Sequence, residues 1–115
     1  MADFPAFMKA PANRIVTKFQ HTPGIEGYVF DGVDGSQMAF WSCSRDAATE
    51  EHVHEFDEWL TVVEGSYVLT LNGQERRVEA GQECFIPKGT RISGRAEAGT
   101  RTVHAFGGRR AERER

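Results

Sequence analysis

From Gly27 onward the chain alternates short apolar runs with turn-forming residues. The runs are YVF (28–30), QMAFWSCS (37–44), WLTVV (59–63), YVLTL (67–71), CFI (84–86) and TVHAF (102–106), separated or closed by DGVDG, RDAA, EGS, NG, PKG and GG. Runs this short, rich in β-branched and aromatic residues and punctuated at regular spacing, predict strands of an all-β sandwich or barrel. The clearest hairpin is 67–71, Asn72-Gly73, then 74–78, because Asn-Gly readily supplies the positive φ angles of a type I′ turn.

The two ends read differently. Over 1–24, Phe4, Phe7, Met8, Ile15, Val16 and Phe19 are scattered among prolines, and the stretch closes on Thr22-Pro23-Gly24. That is the texture of an arm preceding the core. The expected layout is therefore an arm over 1–24, a β-domain over 25–107 and a charged tail over 108–115. In the tail, Arg109, Arg110, Arg113 and Arg115 are interleaved with Glu112 and Glu114, the pattern of a solvated, frayed terminus.

A length of 115 residues fits one hydrophobic core. With 39% hydrophobic and 27% charged residues the composition is that of an ordinary globular protein. A formal net charge of -3 leaves no basic stripe, which argues against nucleic acid as a partner. Pro5, Lys9 and Pro11 interrupt the N-terminus before a signal-peptide core can develop, and no stretch approaches a membrane span, so a cytoplasmic location without membrane contact is expected. Cys43 and Cys84 sit inside apolar runs, lack metal-motif or redox spacing, and read as small buried hydrophobes.

The chemistry concentrates in EEHVHEFDEWL (50–60). As a helix, this segment would bury a stripe of Val53, Phe56, Leu60 and Val63. As a strand, it would place His52 and His54 on one face, because alternate residues point the same way, whereas on a helix residues two apart diverge by about 200°. The β-branched run 61–63 downstream and the missing helix stop favour the strand. Glu58 returns to the same side if the chain turns near Phe56 and Asp57. His21, between Gln20 and Thr22, reads as a loop histidine.

These residues also resemble a known family. His52-x-His54, three residues, Glu58, six residues, Gly65 is similar to the first motif of the cupin superfamily. Gly81, five residues, Pro87-x-Gly89 is similar to the opening of its second motif, so the resemblance runs from about Gly27 to Gly107. It implies a cupin jelly-roll β-barrel holding one divalent transition metal (Fe, Zn, Mn or Ni) on His52, His54 and Glu58. Asp46 departs from the pattern where a glycine is usual, Ile92 where a metal-binding histidine is usual, and Ala96 where an asparagine is usual. The three remaining ligands form a set that leaves coordination positions open for water or substrate.

His104 is the candidate for the missing position, since the resemblance places its strand beside the one after Glu58. Parity leaves its direction open, with Thr102, His104 and Phe106 on one face and Val103 and Ala105 on the other. The resemblance further implies a small-molecule enzyme of dioxygenase, isomerase or lyase type, with Phe40 and Ile92 narrowing an apolar substrate pocket. The alternative is a barrel that binds or senses a small molecule without turnover, with or without metal. With Glu58, Leu60 and Val62 inside, Trp59 and Val63 face outward and require cover, which the arm with Phe4, Phe7 and Met8 or a second subunit could supply; the resemblance to cupins implies both, and so a homodimer.

Overall fold

The computed structural model describes residues 3–16 and 24–112. Within them nine strands follow one another: β1 Ile25–Asp31, β2 Gln37–Cys43, β3 Ala47–Val53, β4 Glu58–Glu64, β5 Ser66–Leu71, β6 Gln74–Glu79, β7 Glu83–Ile86, β8 Arg91–Ala96 and β9 Arg101–Phe106. The only helical pieces among the described residues are two 3-10 turns in the arm, Ala6–Lys9 and Pro11–Asn13. None is long and apolar enough to cross a membrane. Asn72 and Gly73 both take positive φ, 49° and 84°, between the paired Leu71 and Gln74, as the Asn-Gly turn requires.

The strands form two antiparallel sheets, one ordered β1-β2-β9-β4-β7 and the other β3-β8-β5-β6. They make an all-β jelly roll. The two sheets pack face to face in the jelly roll, with no ladder among the described strands joining one to the other.

Alternation along each strand decides what the sandwich buries. Leu60 and Val62 of β4, Leu69 of β5, Val78 of β6, Cys84 and Ile86 of β7 and Ile92 of β8 form one core cluster. Leu60 and Leu69 have no exposed surface, and burying each contributes about 1.5–3 kcal/mol relative to leaving it in water. A second cluster joins Val29, Ala39 and Phe106 to Ile15 of the arm and Ala111 of the tail.

The arm is tied down where Ile15 donates its amide to the Gly27 carbonyl at 2.9 Å, and where the Phe4 ring meets Phe40 with centroids 5.6 Å apart. His21 and Phe19 lie outside the described residues.

Residues 110–112 correct part of the expectation of a frayed tail. Gln37, 2% exposed, accepts the amides of Arg110 and Ala111, each at 2.8 Å, and donates to the Ala111 carbonyl at 3.1 Å and to Asp31 at 2.9 Å. Val16 donates its amide to the Glu112 carbonyl at 2.9 Å. The alternating charges pointed to water, but one buried amide that satisfies three backbone groups, together with an inserted Ala111, holds 110–112 against the sandwich. Residues 113–115 lie outside the described residues.

Candidate functional site

The chain crosses from the second sheet to the first between β3 and β4, and the chemistry sits at that crossing. Thr49 pairs with Gly94 but His52 pairs with Ile92, so β3 spends three steps where β8 spends two. This bulge lets both Thr49 and His52 line the interior, and His54, two residues on, follows His52 there. Asp57 then anchors the turn, accepting the Lys88 amide on its side chain at 2.9 Å and the Gly107 amide on its carbonyl at 2.8 Å. β4 begins with Glu58 facing inward, and β9 brings His104 opposite Leu60 with its side chain on the same interior.

Four side chains meet there. Glu58 is 3% exposed, His104 7% and His54 8%; His52 is partly buried. His104 donates Nδ1–H to Glu58 Oε2 at 2.7 Å, and Thr102 Oγ1 lies 2.9 Å from His104 Nε2. His54 Nδ1 stands 2.7 Å from Glu58 Oε1, close but so poorly aligned that neither atom makes a directed hydrogen bond. Burial pushes the Glu58 pKa up, yet the hydrogen bond from His104 and the closeness of the His54 imidazole outweigh it and hold the carboxyl at about 2. Burial also pulls the His52 imidazole below its ordinary value.

The protons of the two neighbouring imidazoles follow from their partners. His52 Nδ1 faces the Glu50 carbonyl at 2.8 Å, which only accepts, so Nδ1 carries the hydrogen and Nε2 a lone pair. His54 Nδ1 faces an ionised carboxylate, which places its hydrogen there and leaves Nε2 a lone pair as well. The two Nε2 atoms are 2.7 Å apart. Two lone pairs at that distance repel unless a proton or a metal ion lies between them, and imidazole nitrogens oriented by acceptors on their far side are the usual form of a metal-binding histidine. Arg110 already responds to this electron-rich spot, donating Nε–H to His54 Nε2 at 3.0 Å.

Two imidazoles thus fit a cation. Glu58 is brought to the cluster, but its oxygens face the Nδ1 atoms of His54 and His104 rather than the Nε2 pair. Among the described residues no three His, Cys, Asp or Glu side chains form a ready metal cage.

The cluster lines an interior cavity of about 80 Å³, walled by Trp41, Tyr67, Ile92 and Phe106 among others. His52, His54 and Arg110 also border an adjoining cleft of about 330 Å³ lined by Glu50, Glu51, Glu55, Phe56 and Arg109. Ile92, 4% exposed and paired with His52 across β3 and β8, lines the inner cavity.

Phe40 does not. Its ring packs against Phe4 and Phe30 on the outer face of the first sheet, with centroids 5.6 and 5.8 Å away. β2 is apolar on both faces, so alternation could not choose its inward set, and it is the neighbouring Trp41 that reaches the cavity.

Trp41, Tyr67 and Arg110 are the lining residues that motif reasoning missed. For Trp41 and Tyr67 the available signals were Gly27 and Gly94: a Cβ on Gly27 would meet the Trp41 ring, and one on Gly94 would lie 2.5 Å from the Tyr67 hydroxyl.

Fold and site together define a small jelly-roll domain with a buried histidine–carboxylate cluster opening on an interior cavity. The chain belongs to the cupin family: the Cupin domain model matches residues 44–107, which include His52, His54, Glu58, Ile92 and His104. A curated relative is the tetracenomycin polyketide synthase protein TcmJ of Streptomyces glaucescens, 39% identical over 56 residues. The match covers 46% of this chain and only 38% of that protein. Among solved structures, KdgF from Halomonas sp. superposes with a TM-score of 0.66 at 24% identity, over 85% of this chain and 88% of that one. Salicylate 1,2-dioxygenase from Pseudoaminobacter salicylatoxidans gives a TM-score of 0.68 at 17% identity, over 76% of this chain and 26% of that one. At these identities the likeness shows the fold.

Proposed function

We propose that the chain is a metal-dependent cupin enzyme acting on a small molecule inside the sandwich, of dioxygenase, isomerase or lyase type. The observation that carries this reading is the pair of opposed Nε2 lone pairs on His52 and His54, 2.7 Å apart. One divalent transition metal, Fe, Zn, Mn or Ni, would be held by these two imidazoles, with Glu58 and His104 packed beside them. When bound, such a metal supplies a Lewis acid at the cavity wall.

The chain's own groups do the rest. Glu58 keeps His54 and His104 oriented and stays ionised. His104, hydrogen-bonded at both ring nitrogens, is the group placed to hold or move a proton next to the carboxylate. Ile92 and Phe106 exclude water from the inner cavity. The polyketide synthase protein of matching sequence is in keeping with a small-molecule substrate.

A second reading is a cupin that binds or senses its ligand without turnover. It is favoured by the lack, among the described cavity-lining residues, of a general base outside the histidine–carboxylate cluster. Elemental analysis of protein purified without an affinity tag tests the metal. About one transition-metal ion per chain is expected, with a sharp fall in His52→Ala and His54→Ala. Metal-free wild-type protein would overturn the enzyme reading, and unchanged metal in both variants would overturn the site.

A further inference from the structure

We propose that Arg110 anchors an anion, and that the cavity's ligand is a small apolar molecule carrying a single carboxylate. The inference rests on the reading that the cavity takes a small molecule, but not on the metal.

Arg110 is partly buried and its backbone is fixed by Gln37, so its side chain is held at the site. Its Nε–H is used by His54 at 3.0 Å. Among the described residues no carboxylate pairs with its guanidinium, since Glu58 is taken up by His54 and His104 at 2.7 Å each. A guanidinium partly withdrawn from water with no carboxylate in contact is poorly satisfied, and a carboxylate is the group whose two oxygens match its fork of donors.

Position sets the rest of the ligand. Arg110 borders both the inner cavity and the outer cleft, so an anionic group held by it stands at their junction. Inward of that junction the wall is largely apolar, with Trp41, Tyr67, Ile92 and Phe106, and suits an uncharged body. Outward, Glu50, Glu51 and Glu55 line the cleft and repel a second negative charge. A monoanion with its apolar part inward satisfies all three regions.

Benzoate and its neutral isostere benzamide are the probes, titrated calorimetrically into the full chain, both as purified and after removal of metal by a chelator. Wild type is expected to bind benzoate at least about tenfold more tightly than benzamide in both preparations, the difference one charge-assisted pair provides. Arg110→Gln should erase that preference while retaining benzamide, and Arg110→Lys should keep part of it. Should Arg110→Gln lose benzamide as well, the lysine variant decides: a retained preference supports the anchor and a lost one overturns it.

Equal affinities in wild type, no benzoate binding at millimolar concentration, or an undiminished preference in Arg110→Gln would each overturn the proposal. A preference that vanishes on chelation but survives Arg110→Gln would assign the anion to the metal, leaving the metal reading intact and this one refuted. A preference that persists in protein found to hold no metal would do the reverse.

Discussion

Replacing Glu58 by glutamine keeps the side chain's shape and removes its charge. In the native protein the carboxylate oxygens face two Nδ1–H groups, those of His104 and His54, each at 2.7 Å. A glutamine accepts from one of them and turns its own NH2 toward the other, donor against donor. Setting a buried donor against another donor costs about 1–3 kcal/mol, and the hydrogen bond that remains loses its charge assistance as well.

The pKa gives an independent figure. Moving from 4.5 to about 2 on folding, at about 1.4 kcal/mol per pH unit, is worth roughly 3 kcal/mol. The folded value lies below the unfolded one, so this contribution is complete above pH 4.5 and is lost as the pH falls toward 2. Urea unfolding of wild type and Glu58→Gln, in chelator and at intervals across that range, measures it. The gap between the two proteins should be roughly 3 kcal/mol near neutral pH and should shrink by more than half by about pH 3. A gap that does not change with pH, or one below about 1 kcal/mol at neutral pH, would refute the pairing of Glu58 with the two imidazoles.

Gly94→Ala forces a methyl group to within 2.5 Å of the Tyr67 hydroxyl, and should cost about 1–3 kcal/mol in thermal unfolding; adding Tyr67→Leu should recover part of the loss, whereas strict additivity would mean that the two do not clash. Ile92→His, in register with His52, should slow metal release to a chelator; release as fast as in wild type would show that position 92 cannot reach the metal. The outer face of the five-stranded sheet leaves Phe30, Met38, Val63 and Phe85 between 36% and 57% exposed, and a second copy of the chain is expected to cover it. Light scattering at micromolar concentration should report a dimer, and a monomer would refute this.

What could be read in the sequence depended on whether a strand had one apolar face or two. In 58–63 the charged Glu58 among hydrophobes marks the inward set, and Leu60 and Val62 are buried beside it with 0% and 1% exposure. The turn between His54 and Glu58 was legible because the two residues had to return to one side. β2 carries hydrophobes at nearly every position, and there the choice of Phe40 over Trp41 had no physical basis in alternation. β9 posed the same ambiguity for His104, and only its register with β4 settles that it faces Glu58.

Arg110 was illegible for a different reason. Its neighbours are charged, and its burial comes from Gln37, 73 residues away along the chain. Gly108 held a faint signal, since any Cβ there would run into the Phe56 ring, which marks a tight passage rather than a frayed end.

Among the described strands β3 stands at the end of its sheet, paired with β8. A strand at the end of a sheet can serve as a template on which another chain adds a strand, and exposed Val53 is the apolar group near the end of this one. The bulge between Thr49 and His52 breaks the regular ladder at that edge, and it carries two exposed carboxylates, Glu50 and Glu51. The irregular step that turns His52 inward therefore also makes this stretch of β3 a poor template for an added strand. Straightening β3 or neutralising those carboxylates would expose the protein to strand-by-strand aggregation before the site itself lost a single ligand.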